Sequence, residues 1–172
     1  NYHLIEKKVV IEGQKTAYFS EKFLEITVPV TTKEQIKEIK KTVTHIAKKH
    51  DEEPYKALAT TQQAIFHQLE EQNEIDAAAI FDKVFEEKPL AREAAQLAIT
   101  EERVPEKIAV TNVPKYERKY SKQKFKLDNG IEITIPSEIY ENKEMVEFIN
   151  NPDGSVSVLI KNIESILNKF NA

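Results

Sequence analysis

The sequence predicts an α+β protein: a bundle of about four helices packed with an antiparallel sheet of two consecutive C-terminal hairpins, after a short N-terminal β segment. Three observations carry this. Between residues 32 and 100, apolar residues recur at spacings of three and four, the period of a helix with one buried face. From residue 122 the period changes to two, the mark of half-buried strands. Helices come first and strands follow, an order that reads as α+β. We expect one unit from a longer protein: a β-like segment over 1–30, a helical region over 31–103, and a sheet with a closing helix over 104–172. The chain opens at Asn1 in what already reads as strand, hence the expectation of a fragment.

The opening segment carries Leu4-Ile5, Val9-Val10-Ile11 and a turn at Gly13-Gln14. Tyr18 to Ile26 is open between strand and helix. The first helix is clearer. Thr31 and Glu34 stand in capping-box spacing, and Ile36, Ile39, Val43 and Ile46 form one stripe, so 32–49 should be helical. Pro54 suits the first turn of a second helix, with Leu58, Thr61, Ile65 and Leu69 inward and Phe66 adjacent. A third is expected from Asp76 to Phe85 over Ile80, Phe81 and Val84, and a fourth from Pro89 to Thr100 over Leu90, Ala94, Leu97 and Ala98. Ile108–Thr111 suggests a short strand, and Lys115–Ser121 a helical turn.

The strongest local signal is Lys122 to Lys161. Phe125 and Leu127 alternate with Lys124 and Lys126, then Ile131, Ile133 and Ile135 alternate with Glu132 and Thr134. Asn129-Gly130 between them tolerates the positive φ of a tight hairpin, and Pro136 ends the second strand. A second hairpin runs through Val146 and Phe148, the turn Asn151-Pro152-Asp153-Gly154, and Val156, Val158 and Ile160. Asn162 could cap a closing helix over Ile163, Ile166, Leu167 and Phe170.

Composition narrows the chemistry. The 172 residues include no Cys, which excludes disulfides, thiolate metal sites and a cysteine nucleophile. No apolar run suits a bilayer span, and no signal-peptide order opens the chain, so a cytoplasmic protein without membrane contact is expected. His3, His45, His50 and His67 show no metal-ligand spacing; His67 and Glu71, four apart, read as a solvated helix pair. Ser residues lie in no nucleophile elbow, carboxylate pairs sit at helix ends, and three glycines build no phosphate loop. No catalytic, metal or cofactor residues are assigned, and no enzyme is expected.

Net charge is −4, yet its distribution is uneven. Residues 51–112 carry fourteen acids against six bases, whereas 113–127 carry six bases, Lys115, Arg118, Lys119, Lys122, Lys124 and Lys126, against Glu117 alone. Residues 31–50 are also basic. Such segregation points to a surface partner. Lys122, Lys124 and Lys126 fall on one strand face, opposite Phe125 and Leu127, and such a row can meet phosphates by counterion release. It is equally the solvated, charged face that protects a strand edge.

Lys122–Pro136, Tyr140 and Val146–Ile163, read in order, resemble the carboxy-terminal part of the bacterial 37-kDa nucleoid-associated protein family. The similarity extends upstream through Val9-Val-Ile-Glu-Gly-Gln-Lys and the helices. It implies a soluble bacterial protein of the cytoplasm that lies with the folded chromosome, and longer relatives with an amino-terminal half missing here. It transfers no site residue by position. Two readings stay open. In the first, the basic strip Lys115–Lys126 gives sequence-tolerant DNA binding. In the second, the acidic helices of 51–102 dock on another chromosome-bound protein. Pairing of the strip's lysines with Glu132, Glu138, Glu141 or Glu147 would favour the second. A homodimer through the sheet face or the closing helix fits either.

Overall fold

The computed structural model describes residues 30–171. The expected N-terminal β segment, including Tyr18–Ile26, lies outside the described residues. Among the described residues six helices follow in order: α1 (Thr32–Lys49), α2 (Pro54–Gln72), α3 (Ala77–Val84), α4 (Pro89–Thr100), α5 (Val113–Tyr120) and α6 (Ser137–Tyr140). Six strands pair as three antiparallel ladders: β1 (Glu74–Asp76) with β2 (Lys107–Ala109), β3 (Lys122–Lys126) with β4 (Glu132–Pro136), and β5 (Val146–Asn150) with β6 (Val156–Ile160). The α+β reading holds.

The helices start where their caps dictate. The Thr31 hydroxyl accepts from the Glu34 backbone N–H, while the Glu34 carboxylate accepts from the Thr31 N–H at 3.0 Å, completing the capping box of α1. These bonds hold Glu34 below the usual carboxylate range. Pro54 and Pro89 take first-turn positions of α2 and α4, where a missing N–H costs nothing. Asp76 caps α3 through Ala79 N–H, and Asn112 caps α5 through Lys115 N–H. Asn73 closes α2 in the left-handed conformation.

α1 packs on α2 and α4, and α3 fills the space between α2 and α4. Ile39, Val43, Ile65, Leu69, Ile80, Phe81 and Phe85 form the continuous core with Ile75, Val104 and Ile108. The β1–β2 ladder closes this layer by pairing the end of α2 with the segment after α4. β1 was not anticipated, because three residues are too few to show a period.

Three expectations need correcting. In α4 the buried face is Ala91, Ala95 and Ala98, while Leu90 and Leu97 are 71% and 50% exposed. Alanines let α4 approach its neighbours closely, so small residues rather than leucines set the inward phase. The two C-terminal hairpins form separate two-stranded ladders instead of one four-stranded sheet. Ring packing bridges them: Phe125 of β3 lies 5.0 Å from Phe148 of β5 and 5.7 Å from Tyr140, centroid to centroid. Finally, residues 161–171 form no closing helix. Asn162 adopts a left-handed φ of 58°, and its amide donates to Glu144 O at 2.8 Å, so it cannot serve as the helix N-cap. Ile166, Leu167 and Phe170 stay more than 80% exposed, and so short a helix with nothing to pack on is marginal in water.

Candidate nucleic-acid interface

The six predicted cations occupy two adjoining elements. Lys115, Arg118 and Lys119 lie on α5, and Lys122, Lys124 and Lys126 on β3, separated only by Ser121. All six are exposed. On β3 the burial alternates with period two, so the three lysines share the outer face at about 7 Å intervals. Tyr116 and Tyr120 stack at 6.2 Å beneath α5, and Lys115 and Lys119 lie 5.6 and 5.8 Å from these rings. The rings bury the apolar side of α5 and turn its cations outward.

None of the six lies within 4.0 Å of a carboxylate among the described residues, although Lys126 faces Glu132 directly across the ladder. Four lysines elsewhere are paired. Lys107 pairs with Glu74 and Asp76, Lys161 with Glu147, and Lys56 with Glu53. Lys88 donates to His50 O and Asp51 O and pairs with Glu52. Of the acids that might have neutralised the strip, Glu147 goes to Lys161, and Glu141 goes to His67.

What holds the strip in place is a buried amide network that alternation alone did not single out. Gln123 shares the inward phase with Phe125 and is 2% exposed. Its amide donates to Ala59 O and to Gln63 Oε1, each at 2.9 Å. Gln63 in turn donates to Ser137 O at 3.0 Å, and the Ser137 hydroxyl donates to Tyr120 O at 2.7 Å. Gln62 donates to Lys122 O at 2.8 Å. Two glutamines one after the other on α2 thus fix α5, β3 and α6 to the helical layer. The period-two phase of Gln123 was the available signal: a polar residue due to point inward needs a partner.

A groove of about 730 Å³ opens beside β3. Lys40 of α1 lines it together with Lys124 and Lys126, adding a cation the strip's own sequence did not reveal. A second cleft of about 670 Å³ gathers Glu52, Glu86, Glu87, Glu141 and Glu147 with four lysines. Its described walls contain no Ser or His, and no cluster of three or more metal-ligating side chains occurs among the described residues.

His67 was expected to pair with Glu71 along the helix; its partner is Glu141, 74 residues away, with Nε2 2.7 Å from Oε1. This hydrogen bond raises the His67 pKa, and the charges of Glu141, Glu70 and Glu71 add to it. A raised folded-state pKa means the contribution is complete below the unfolded value of about 6.5 and disappears as pH rises through the folded value. The melting temperature of a His67→Ala variant should therefore fall below that of the parent between about pH 5 and 6, and converge with it in alkaline buffer. A pH-independent gap would assign His67 a packing role only.

No described helix is long and apolar enough to cross a membrane. No curated protein and no solved structure matches the chain. A family profile described as nucleoid-associated protein YejK matches residues 1–168 of the 172. A basic face on an α+β body is thus set within a sequence that matches one family almost from end to end, and the chain belongs to the nucleoid-associated protein YejK family, whose members lie with the chromosome in the cytoplasm.

Proposed function

We propose that this nucleoid-associated protein contacts DNA directly, without base reading and without catalysis, through Lys115, Arg118, Lys119, Lys122, Lys124 and Lys126. The carrying observation is contiguity: the six exposed cations follow one another along α5 and the outer face of β3, with no carboxylate within 4.0 Å among the described residues. An acidic protein that leaves one contiguous basic face unneutralised keeps it available for phosphates. The strip presents a strand and the outer side of a two-turn helix, with lysine dominant. Lysine is a point charge suited to phosphate, which fits sequence-tolerant contact.

Fluorescence anisotropy with a short labelled duplex tests this. Affinity should fall steeply with salt and vary little among duplex sequences. Changing Lys119, Lys122, Lys124 and Lys126 to Glu together should abolish binding. Lys124→Ala alone should flatten the slope of log K against log salt by about 0.9, the loss of one phosphate contact. Absence of binding at low salt, or binding indifferent to the charge reversal, would refute the proposal.

One observation favours docking on a chromosome-bound protein instead. Leu90, Ala94 and Leu97 of α4 form a row whose two leucines are exposed, on the acidic stretch beside Glu93 and Glu101. If the duplex is not bound, this row becomes the leading contact surface.

A further inference from the structure

We propose that the protein pairs with a second copy of itself by exchange of the segment after β6, residues 163–170 of each chain entering the groove beside β3 of the other. The segment carries Ile163, Ile166, Leu167 and Phe170 at positions i, i+3, i+4 and i+7, the anchor spacing of an amphipathic helix that lies in a groove. These four side chains are 53–83% exposed, and none belongs to the apolar core formed by the described residues. The same molecule offers the complement. Its 730 Å³ groove is walled by Ile36, Tyr55, Leu58, Phe125, Phe148 and Val158, with Lys40, Lys124 and Lys126 also lining it, and falls within the usual size range for buried anchors.

Connectivity selects the second copy over the chain's own groove. Lys161 N–H donates to Met145 O, and the Asn162 amide donates to Glu144 O, which pins the exit of the segment at the end of β6. The hairpin wall of the groove, Gly154 to Val158, lies four to eight residues back along the strand, roughly 13–27 Å. Ile163 follows the pinned residue immediately, and a helix over 163–170 is only about 12 Å long. Folded back on its own chain, it brings Phe170 near the groove and leaves Ile163 outside. A neighbouring copy has no such tether, and all four anchors can enter. The exchange is reciprocal, so it closes as a two-fold dimer. Exposed Val156 belongs to the groove wall, and exposed Ile160, on the same face of β6, extends the apolar contact beyond it.

Sedimentation velocity on the full chain, without DNA, tests the exchange separately from the DNA reading. The parent should sediment as a dimer at micromolar concentration. The double variant Ile166→Asp, Leu167→Asp should be monomeric with unaltered circular dichroism, because both side chains are more than 80% exposed. Val156→Asp, at the groove, should also be monomeric. An equimolar mixture of the two should recover dimer, since one intact segment then meets one intact groove. A parent that stays monomeric, a dimer unaffected by the segment variant, or a mixture that remains monomeric would each overturn the proposal. The last would identify a symmetric contact between like surfaces.

Discussion

Phe81→Ala should cost about 3–5 kcal/mol of folding stability, the range for removing a fully buried phenylalanine. Phe81 is 0% exposed at the middle of α3, within the cluster that includes Ile80, Leu69 and Val43. Truncation removes the ring's transfer energy and leaves a cavity that α2 and α4 cannot close without moving the β1–β2 ladder. Natural domains have only about 5–15 kcal/mol in total, so the variant should lose roughly a fifth of it or more. For a chain of this size the melting temperature should fall by roughly 6–20 °C. Urea denaturation with an unchanged m-value would show the loss to be native-state packing. A change below about 1 kcal/mol would mean the core around α3 can repack, contrary to its close burial.

The second large effect is expected at Gln123. Gln123→Leu keeps approximate shape but leaves Gln63 Oε1 without its donor inside the protein. A buried polar atom stripped of its partner costs about 1–3 kcal/mol, and the lost bond to Ala59 O adds to it. We expect about 2–4 kcal/mol in urea denaturation. Because Gln123 is the inward anchor of β3, hydrogen exchange should quicken through β3 and β4 before it quickens in α1 and α2. Duplex affinity should also drop, through loss of position rather than charge, with the stability loss that Lys124→Ala should not show. Replacing Gln63 by Leu in the same chain should restore part of the stability, since both partners are then apolar. An additive double variant would show that the two amides do not act as a unit.

Local rules made most elements legible. The Thr31–Glu34 box, the prolines opening α2 and α4, and the Asn129-Gly130 and Asn151–Gly154 turns are decided by neighbours in sequence, and their elements form where expected. What escaped was decided at long range. The inward phase of α4 depends on how closely α1 and α3 approach, and alanine wins that contest over leucine. β1 exists because Glu74–Asp76 meets Lys107–Ala109 across two helices. The partner of His67 lies 74 residues on, beyond any helical spacing. The closing helix failed for want of a surface to lie on, which no pattern within residues 162–171 discloses. The basic strip was visible as charge, but its freedom from pairing depended on where Glu141 and Glu147 turn.

The uncharged character of the clamp beneath the strip has a consequence for titrations. Every bond from Gln62, Gln63, Gln123 and Ser137 runs between neutral groups, so neither proton concentration nor counterions weaken it in the way they weaken an ion pair. The amide clamp therefore holds across the ionic strengths at which the six cations are screened. Were the proposed DNA contact made, a salt series would read ion displacement at the phosphates with little contribution from this clamp. The face behaves as a fixed electrode whose potential the solvent alone adjusts.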